Sequence, residues 1–135
     1  SDRFGAPGDF AQAYVIAHEI GHHVQMETGI EAQVRQAQQQ DPSRQNELSV
    51  KLELQADCLA GVWAQSVYKA GDLQAGDVDE ALKAAASVGD DRIQASAGVT
   101  VNPETWTHGS AAQRSQWFNT GYTSGDPAGC DTFAG

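Results

Sequence analysis

The sequence contains no apolar run close to the roughly 18 residues that a membrane-spanning helix needs, and no signal peptide opens it. Basic residues are also scarce, because 8 Lys and Arg stand against 18 Asp and Glu, for a net charge of −10. An acidic surface repels nucleic-acid phosphates and anionic lipids. We therefore expect neither nucleic-acid binding nor membrane contact by this segment, and we attribute most of the charge to solubility.

Cysteine is equally scarce, with Cys58 and Cys130 as the only two. Their spacing leaves two interpretations open, a disulfide bond or two buried thiols. A disulfide would close a loop of about seventy residues and would stabilise the fold by roughly 4 kcal/mol on the chain-entropy account. It would also require an oxidising compartment.

The chain length and the helix signals predict an all-α fold, or nearly so. With 135 residues, positions 1–135 suffice for a single domain with its own core. Because the chain starts at Ser1 rather than at Met, we expect that an upstream segment has been removed. Strand character is confined to the short stretch 99–101. Glycine and proline breaks separate helices predicted at 9–28, 30–40, 42–70, 77–88, 91–97 and 110–122.

Two helix starts carry specific signals. Pro42 directly after Asp41 favours the first turn of the long helix that begins there. Ser110 and Gln113 have the spacing of a capping box, which predicts the start of the last helix.

The segment VIAHEIGHHV at 15–24 carries the main chemical signal. His18 and His22 are four residues apart, so on a helix they share one face and can bind one ion. Glu19 lies about 100° further round the helix, where a carboxylate can take a proton from a zinc-activated water. The uncharged neighbours Val15, Ile16, Ile20, Gly21 and Val24 are those expected of a helix buried around a metal. The alternative is a polar helix face that carries two histidines by chance.

A catalytic zinc ion takes three protein ligands and leaves one position for water. The long helix at 42–70 offers Glu53 and Asp57, again four apart on one face. We assign Glu53 as the third ligand, and Asp57 as the acceptor for the second ring nitrogen of a zinc histidine, with His18 the first choice. The alternative is a solvated acidic face, which the apolar neighbours Leu52 and Leu54 argue against.

Several segments together resemble the bacterial family called "putative neutral zinc metallopeptidase". They are HEIGHHVQ, LSVKLELQADCLAGVWA, GDVDEALKAAASVGDDRIQ, THGSAAQRSQWFNTGY and GDPAGCDTF, which extend the similarity over about 3–133. The motif pair is also similar to the gluzincins, including the thermolysin-like and CAAX-prenyl-protease-like enzymes. The resemblance implies a compact zincin-like domain with two metal-bearing helices, one zinc ion and a peptide or protein substrate.

The same resemblance implies a cleft element at 107–114, since the CAAX-protease-like enzymes have a similar Thr-His…Arg element. A peptidase needs a donor that stabilises the oxyanion of its tetrahedral intermediate. We expect His108 to supply it, with Arg114 as the second candidate and Tyr122 as the third. The alternative for His108 is a cap on the helix that follows.

Relatives in this family carry a membrane anchor and further sequence upstream, which implies an extracytoplasmic location: periplasmic, cell-surface or secreted. In that location Cys58 and Cys130 are expected to be bridged. The eight residues SDRFGAPG at 1–8 are poor strand formers, so the edge strand that zincins pair with substrate is expected to be absent here. A zinc-stabilised binding module without catalytic activity is therefore the alternative function.

Overall fold

A computed structural model describes residues 9–69, residue 83 and residues 109–133 of the chain. Within these ranges the ordered elements are helices, and no strand occurs among them, which confirms the all-α prediction. The predicted helix at 91–97, the stretch 99–101 and His108 lie outside the described residues, as does the predicted helix at 77–88 apart from residue 83, which is helical. Residues 9–69 and 109–133 form helices α1 (Asp9–Glu27), α2 (Ile30–Gln40), α3 (Gln45–Lys69) and α4 (Ala111–Ser124), with 3-10 turns at Pro42–Arg44 and Pro127–Cys130.

The break between α1 and α2 lies at Gly29. This residue has a φ of 82° in the left-handed region, which glycine adopts without the steric cost that other residues meet. The predicted boundary at residue 28 is therefore one residue beyond the observed end of α1 at Glu27.

The start of the long helix differs from the prediction by three residues. Asp41 and Pro42 do end the preceding helix, but Pro42–Arg44 forms a 3-10 turn, closed by a hydrogen bond from Arg44 N to Asp41 O of 3.0 Å. Such tighter turns are common at helix ends. The α-helical part then runs for 25 residues, from Gln45 to Lys69.

Helix α4 begins at the predicted capping box. Gln113 N donates to Ser110 Oγ at 3.0 Å, and Ser110 N donates to Gln113 Oε1 at 2.9 Å. The helix ends at Ser124 rather than at Tyr122, because Gly125 adopts the left-handed conformation that terminates it.

Helix α3 is the centre of the described fold and packs against both α1 and α4. Glycines allow these helices to approach closely, since a Cβ atom on Gly61 would lie 2.1 Å from the Phe118 carbonyl oxygen, and one on Gly121 would lie 1.9 Å from that of Cys58. The core between the three helices consists of Tyr14, Ala17, Ala60, Ala64 and Phe118.

The large apolar residues next to His18 and His22 were expected to be buried, and this expectation was wrong. Gly21 is buried, but the apolar side chains beside it are more than one-third exposed. The face that α1 turns towards α3 consists of Tyr14, Ala17, His18, Gly21 and Gln25. Small and polar residues occupy this face because close helix packing and a metal site require them, and the larger apolar residues lie outside it. The exposed group is Val15, Ile16, Ile20, Val24 and Met26.

Cys58 on α3 and Cys130, just after α4, form a disulfide bond, and both residues are buried. The bond joins positions 72 residues apart and fixes the end of the described chain to the central helix. None of the helices at 9–69 and 109–133 has the length and apolar character needed to cross a membrane.

Candidate metal centre

Three side chains from two helices converge at one point. His18 and His22 project from the same face of α1, and their Nε2 atoms are 3.1 Å apart. Glu53 projects from α3, with Oε1 3.1 Å from His18 Nε2 and Oε2 2.9 Å from His22 Nε2. Among the described residues these three form a cluster able to hold a metal ion.

Asp57 holds the other nitrogen of the His18 ring. Its Oδ1 lies 2.9 Å from His18 Nδ1, and the carboxylate is fully buried. Because an ionised carboxylate can only accept hydrogen bonds, Nδ1 carries the proton in this contact. His18 Nε2 therefore presents its lone pair to Glu53 and His22 whenever the ring is neutral.

Behind Asp57 lie two further polar side chains. Arg114 donates from Nε to Asp57 Oδ2 at 2.7 Å and from Nη2 to Oδ1 at 3.1 Å. Tyr14 donates its hydroxyl hydrogen to Asp57 Oδ1 and accepts a hydrogen bond of 3.0 Å from Arg114 Nη2. The buried carboxylate is thus neutralised by a guanidinium on one side while it orients an imidazole on the other.

His22 has a corresponding partner in Gln25. The Gln25 Oε1 atom lies 2.8 Å from His22 Nδ1, and Gln25 Nε2 donates to Leu52 O and to Gln55 Oε1, each at 2.8 Å. His22 Nδ1 therefore faces an acceptor, as His18 Nδ1 does.

The donor set fits zinc. When both imidazoles are neutral and carry their proton on Nδ1, each turns the Nε2 lone pair towards Glu53, so a cation bound between the three side chains would be held by all of them. Two ligands at zinc distances of about 2.0–2.1 Å and a tetrahedral angle lie roughly 3.3 Å apart. The observed separations of 2.9 and 3.1 Å are close to that value.

The chain is similar to a family of known proteins along nearly its whole length. The profile of the family described as "Putative neutral zinc metallopeptidase" matches residues 1–133. The chain belongs to this family. This match confirms the family that the sequence motifs predicted.

Among curated relatives, the chain is 56% identical to the Escherichia coli K12 protein named "Uncharacterized protein YpfJ", over 133 residues. It is 48% identical over 143 residues to "Uncharacterized protein Rv2575" of Mycobacterium tuberculosis H37Rv. The alignments cover 98% of this chain but 46% and 47% of those relatives, so the chain spans about half of their length. No solved structure matches the chain significantly.

The pKa values of His18, His22 and Glu53 are all shifted in the direction that favours their charged forms. Burial lowers the pKa of His18, but hydrogen bonds to Asp57 and Glu53 outweigh it and raise the pKa to about 9. Burial raises the pKa of Glu53, but hydrogen bonds to His18 and His22 outweigh it and hold the pKa far below its usual range. Hydrogen bonding to Glu53 also raises the pKa of His22.

Glu19 lies next to this cluster in sequence but is not part of it. It is exposed on α1, one residue after His18, and lies outside the face packed on α3. The ligand side chains themselves are partly open to solvent, with 24% exposure for His22 and 18% for Glu53. Glu19 is thus open to solvent, whereas Asp57 is fully buried.

Arg114, the second candidate for the oxyanion donor, lies on the buried side of the site. Its guanidinium contacts Asp57 and Tyr14 on the Nδ1 side of His18, and the residue is only 4% exposed. These contacts give Arg114 a part in holding Asp57, and the oxyanion role expected for it stays a prediction. Tyr122, the third candidate, packs against the helical core.

Two residues of the site were missed in the sequence. Gln25 follows His22 by three residues and therefore shares its helix face, a signal that was available. Tyr14 precedes His18 by four residues and shares that face too. Neither spacing reveals which groups on α3 and α4 the two side chains reach.

Proposed function

We propose that the chain is the metal-binding domain of a zinc-dependent peptidase that hydrolyses peptide bonds of peptide or protein substrates. His18, His22 and Glu53 would hold one zinc ion. The observation that carries the proposal is the convergence of two imidazole Nε2 atoms and one carboxylate, within 2.9–3.1 Å of one another, on a partly solvent-exposed surface. When bound, zinc supplies a Lewis acid that polarises a carbonyl and makes water acidic.

Glu19 is the proposed general base. It follows a ligand directly on α1 and remains exposed, so its carboxylate can accept a proton from the attacking water. The same carboxylate would then deliver that proton to the leaving amine. The family membership supports hydrolysis over a purely structural use of the metal.

The buried side of the site would keep both imidazoles in one orientation. Asp57 accepts from His18 Nδ1, and Arg114 and Tyr14 hold the Asp57 carboxylate in place. Such partners beyond the ligands fix the histidine tautomer and raise the basicity of the ligating nitrogen. We assign Arg114 to this positioning role. His108 stays a prediction for the oxyanion donor, because it lies outside the described residues.

We further propose an extracytoplasmic location for the whole protein. The support is the disulfide between Cys58 and Cys130, since disulfides persist in oxidising compartments and are rare in the cytosol. Thiol labelling of the protein from intact cells tests this. After the cells are lysed in denaturant, cysteines that react only once a reductant is added are expected, and labelling of both in the unfolded, unreduced protein would contradict the location.

The test of function compares cleavage with metal content. Glu19→Gln should lower the rate of cleavage of a fluorescent casein substrate by about 100-fold or more, the usual contribution of a general base, while zinc remains bound at one ion per chain. Glu27→Gln, another exposed carboxylate on α1, is the matched control and should retain the wild-type rate. Both the chain and the full-length protein should be assayed.

A wild-type protein that binds zinc without chelator-sensitive cleavage, in either form, would contradict the peptidase proposal. That result would favour the alternative of a zinc-stabilised binding module. Equal cleavage by wild type and Glu19→Gln would leave the zinc site intact but would exclude Glu19 as the base.

A further inference from the structure

Gln25 is a buried amide in direct contact with a proposed metal ligand. It has no solvent exposure, and both ends of its amide are engaged. Oε1 lies 2.8 Å from His22 Nδ1, while Nε2 donates to Leu52 O and Gln55 Oε1, each at 2.8 Å. A side chain so fully paired and buried has one defined orientation.

The orientation of the amide follows from the backbone. The Leu52 carbonyl oxygen can only accept a hydrogen bond, so the amide must turn its NH₂ group towards α3. The oxygen of Gln25 must then face His22 Nδ1, which has to donate. This chain of constraints assigns the proton of neutral His22 to Nδ1 and leaves the lone pair on Nε2, the atom that faces Glu53.

The Gln25 amide also forms a hydrogen bond with the backbone next to Glu53, the proposed third ligand. The Leu52 carbonyl belongs to the peptide bond between Leu52 and Glu53. A hydrogen bond from Gln25 to that carbonyl therefore sets the position of α3 at Glu53 relative to α1 at His22.

We propose that Gln25 is a positioning residue of the metal centre, which selects the His22 tautomer and ties that imidazole to the backbone of Glu53. The proposal rests on the zinc site proposed above. It goes beyond that site because the side chain would act on two ligands from opposite helices without touching the ion. Loss of such a partner beyond the ligands typically weakens metal binding 10–100-fold.

The competing explanation is that Gln25 only holds two helices together. Gln55 separates the two cases, because it is also buried and accepts a hydrogen bond from Gln25, while the His22 Nδ1 atom is paired with Gln25. Gln55→Met removes one inter-helix bond and leaves the Leu52 carbonyl to orient the Gln25 amide. Gln25→Met removes the inter-helix bonds and the acceptor of His22 together, with similar side-chain volume.

The experiment measures zinc affinity by competition with a chromophoric chelator, and the melting temperature of the zinc-free protein, for wild type and both variants. Both substitutions should lower the melting temperature. Only Gln25→Met should weaken zinc binding by about 10–100-fold, and cobalt substituted for zinc should show a changed d–d spectrum in that variant alone. Equal zinc affinity in all three proteins, or an equal loss in both variants, would overturn the proposal.

A second measurement uses wild-type protein and does not depend on the variants folding. Long-range ¹H–¹⁵N spectra of the zinc-loaded chain should show a protonated Nδ1 on His22, in slow exchange with water. A His22 ring that is protonated on Nε2 would overturn the proposal while leaving zinc binding established. Wild-type protein that takes up no zinc would instead overturn the proposed site, and this inference with it.

Discussion

His18 Nδ1 lies 2.9 Å from Oδ1 of Asp57, a carboxylate with no solvent exposure. The two residues are 39 positions apart and come from different helices. The contact fixes which ring nitrogen of His18 faces Glu53, so the buried interior of the helix pair determines the chemistry of its solvent-accessible side.

Replacement of Asp57 by Asn should damage both stability and metal binding. The substitution leaves the Arg114 guanidinium buried without its anionic partner, which typically costs about 3–5 kcal/mol in the free energy of unfolding. It also replaces a charged acceptor for His18 Nδ1 with a neutral amide, so zinc affinity should fall about 10–100-fold. Urea unfolding and chelator competition measure the two effects.

The control for this variant is Glu47→Gln, also on α3, which breaks an exposed ion pair with Arg44 of the preceding 3-10 turn. Exposed pairs contribute little to stability because solvent screens them, so its stability and zinc affinity should stay near those of wild type. An Asp57→Asn protein that matches this control would show that the Asp57 carboxylate does not support the site.

The stability of zinc-free protein should depend on pH through His18. Its pKa is raised from 6.5 to about 9 in the folded chain, so the protonated ring favours the fold. This stabilisation is complete below about pH 6.5 and is lost as the pH rises through about 9. Urea unfolding in chelator between pH 6 and 10 should therefore show a falling free energy of unfolding, while zinc affinity rises over the same range as protons cease to compete.

A comparison of His18→Gln with the control His23→Gln shows whether His18 causes this pH dependence. His23 is exposed and pairs only loosely with Glu27, at 3.6 Å. The decline with pH should persist in His23→Gln and flatten in His18→Gln. An unchanged slope in both variants would contradict the role assigned to His18.

Gly21→Ala should disturb the packing of α1 on α3 close to the ligands. A Cβ atom at this position would lie 2.8 Å from the Ala56 carbonyl oxygen and 3.1 Å from its Cα. We expect a loss of about 1–3 kcal/mol in the free energy of unfolding, as for other overpacked sites, although alanine favours helices more than glycine does. Zinc affinity should also fall, because His22 and Glu53 would be moved apart.

Gly129→Ala is the comparison for that variant, since the nearest atom to its Cβ would be Ser124 Oγ at 3.6 Å, an ordinary contact. This substitution should leave unfolding and zinc binding unchanged. Equal behaviour of the two variants would mean that the helices are further apart at Gly21 than described.

Reduction of the disulfide between Cys58 and Cys130 should destabilise the chain by about 4 kcal/mol, because the bond closes a loop across 72 positions. Zinc should still bind to the fraction that remains folded, since neither cysteine is a ligand. Urea unfolding with and without a phosphine reductant, together with thiol titration, measures the effect. An unchanged unfolding midpoint after complete reduction would contradict it.

The metal cluster could be predicted because the spacing of its residues along each helix shows which side chains share a face. His18 and His22 share a helix face by their spacing, and so do Glu53 and Asp57. Because a catalytic zinc ion needs a third protein ligand, the histidine pair is expected to lie close to Glu53. The structure brings together all four side chains, and the Ser110 capping box was predicted on similarly local grounds.

The rest depends on tertiary contacts that periodicity does not specify. Ile16, Ile20 and Val24 were expected to be buried because they are apolar, yet α3 packs on the neighbouring face, where Gly21 permits close approach. The position of Arg114 depends on how α4 crosses α3, and its distance in sequence from Asp57 gives no indication of that crossing.

The most direct test of the account is anomalous diffraction at the zinc absorption edge, from crystals of the wild-type chain supplied with zinc. The account predicts one peak per chain, about 2.0–2.2 Å from the Nε2 atoms of His18 and His22 and from a Glu53 carboxylate oxygen. A zinc ion bound elsewhere, or one that lacks Glu53 as a ligand, would contradict it.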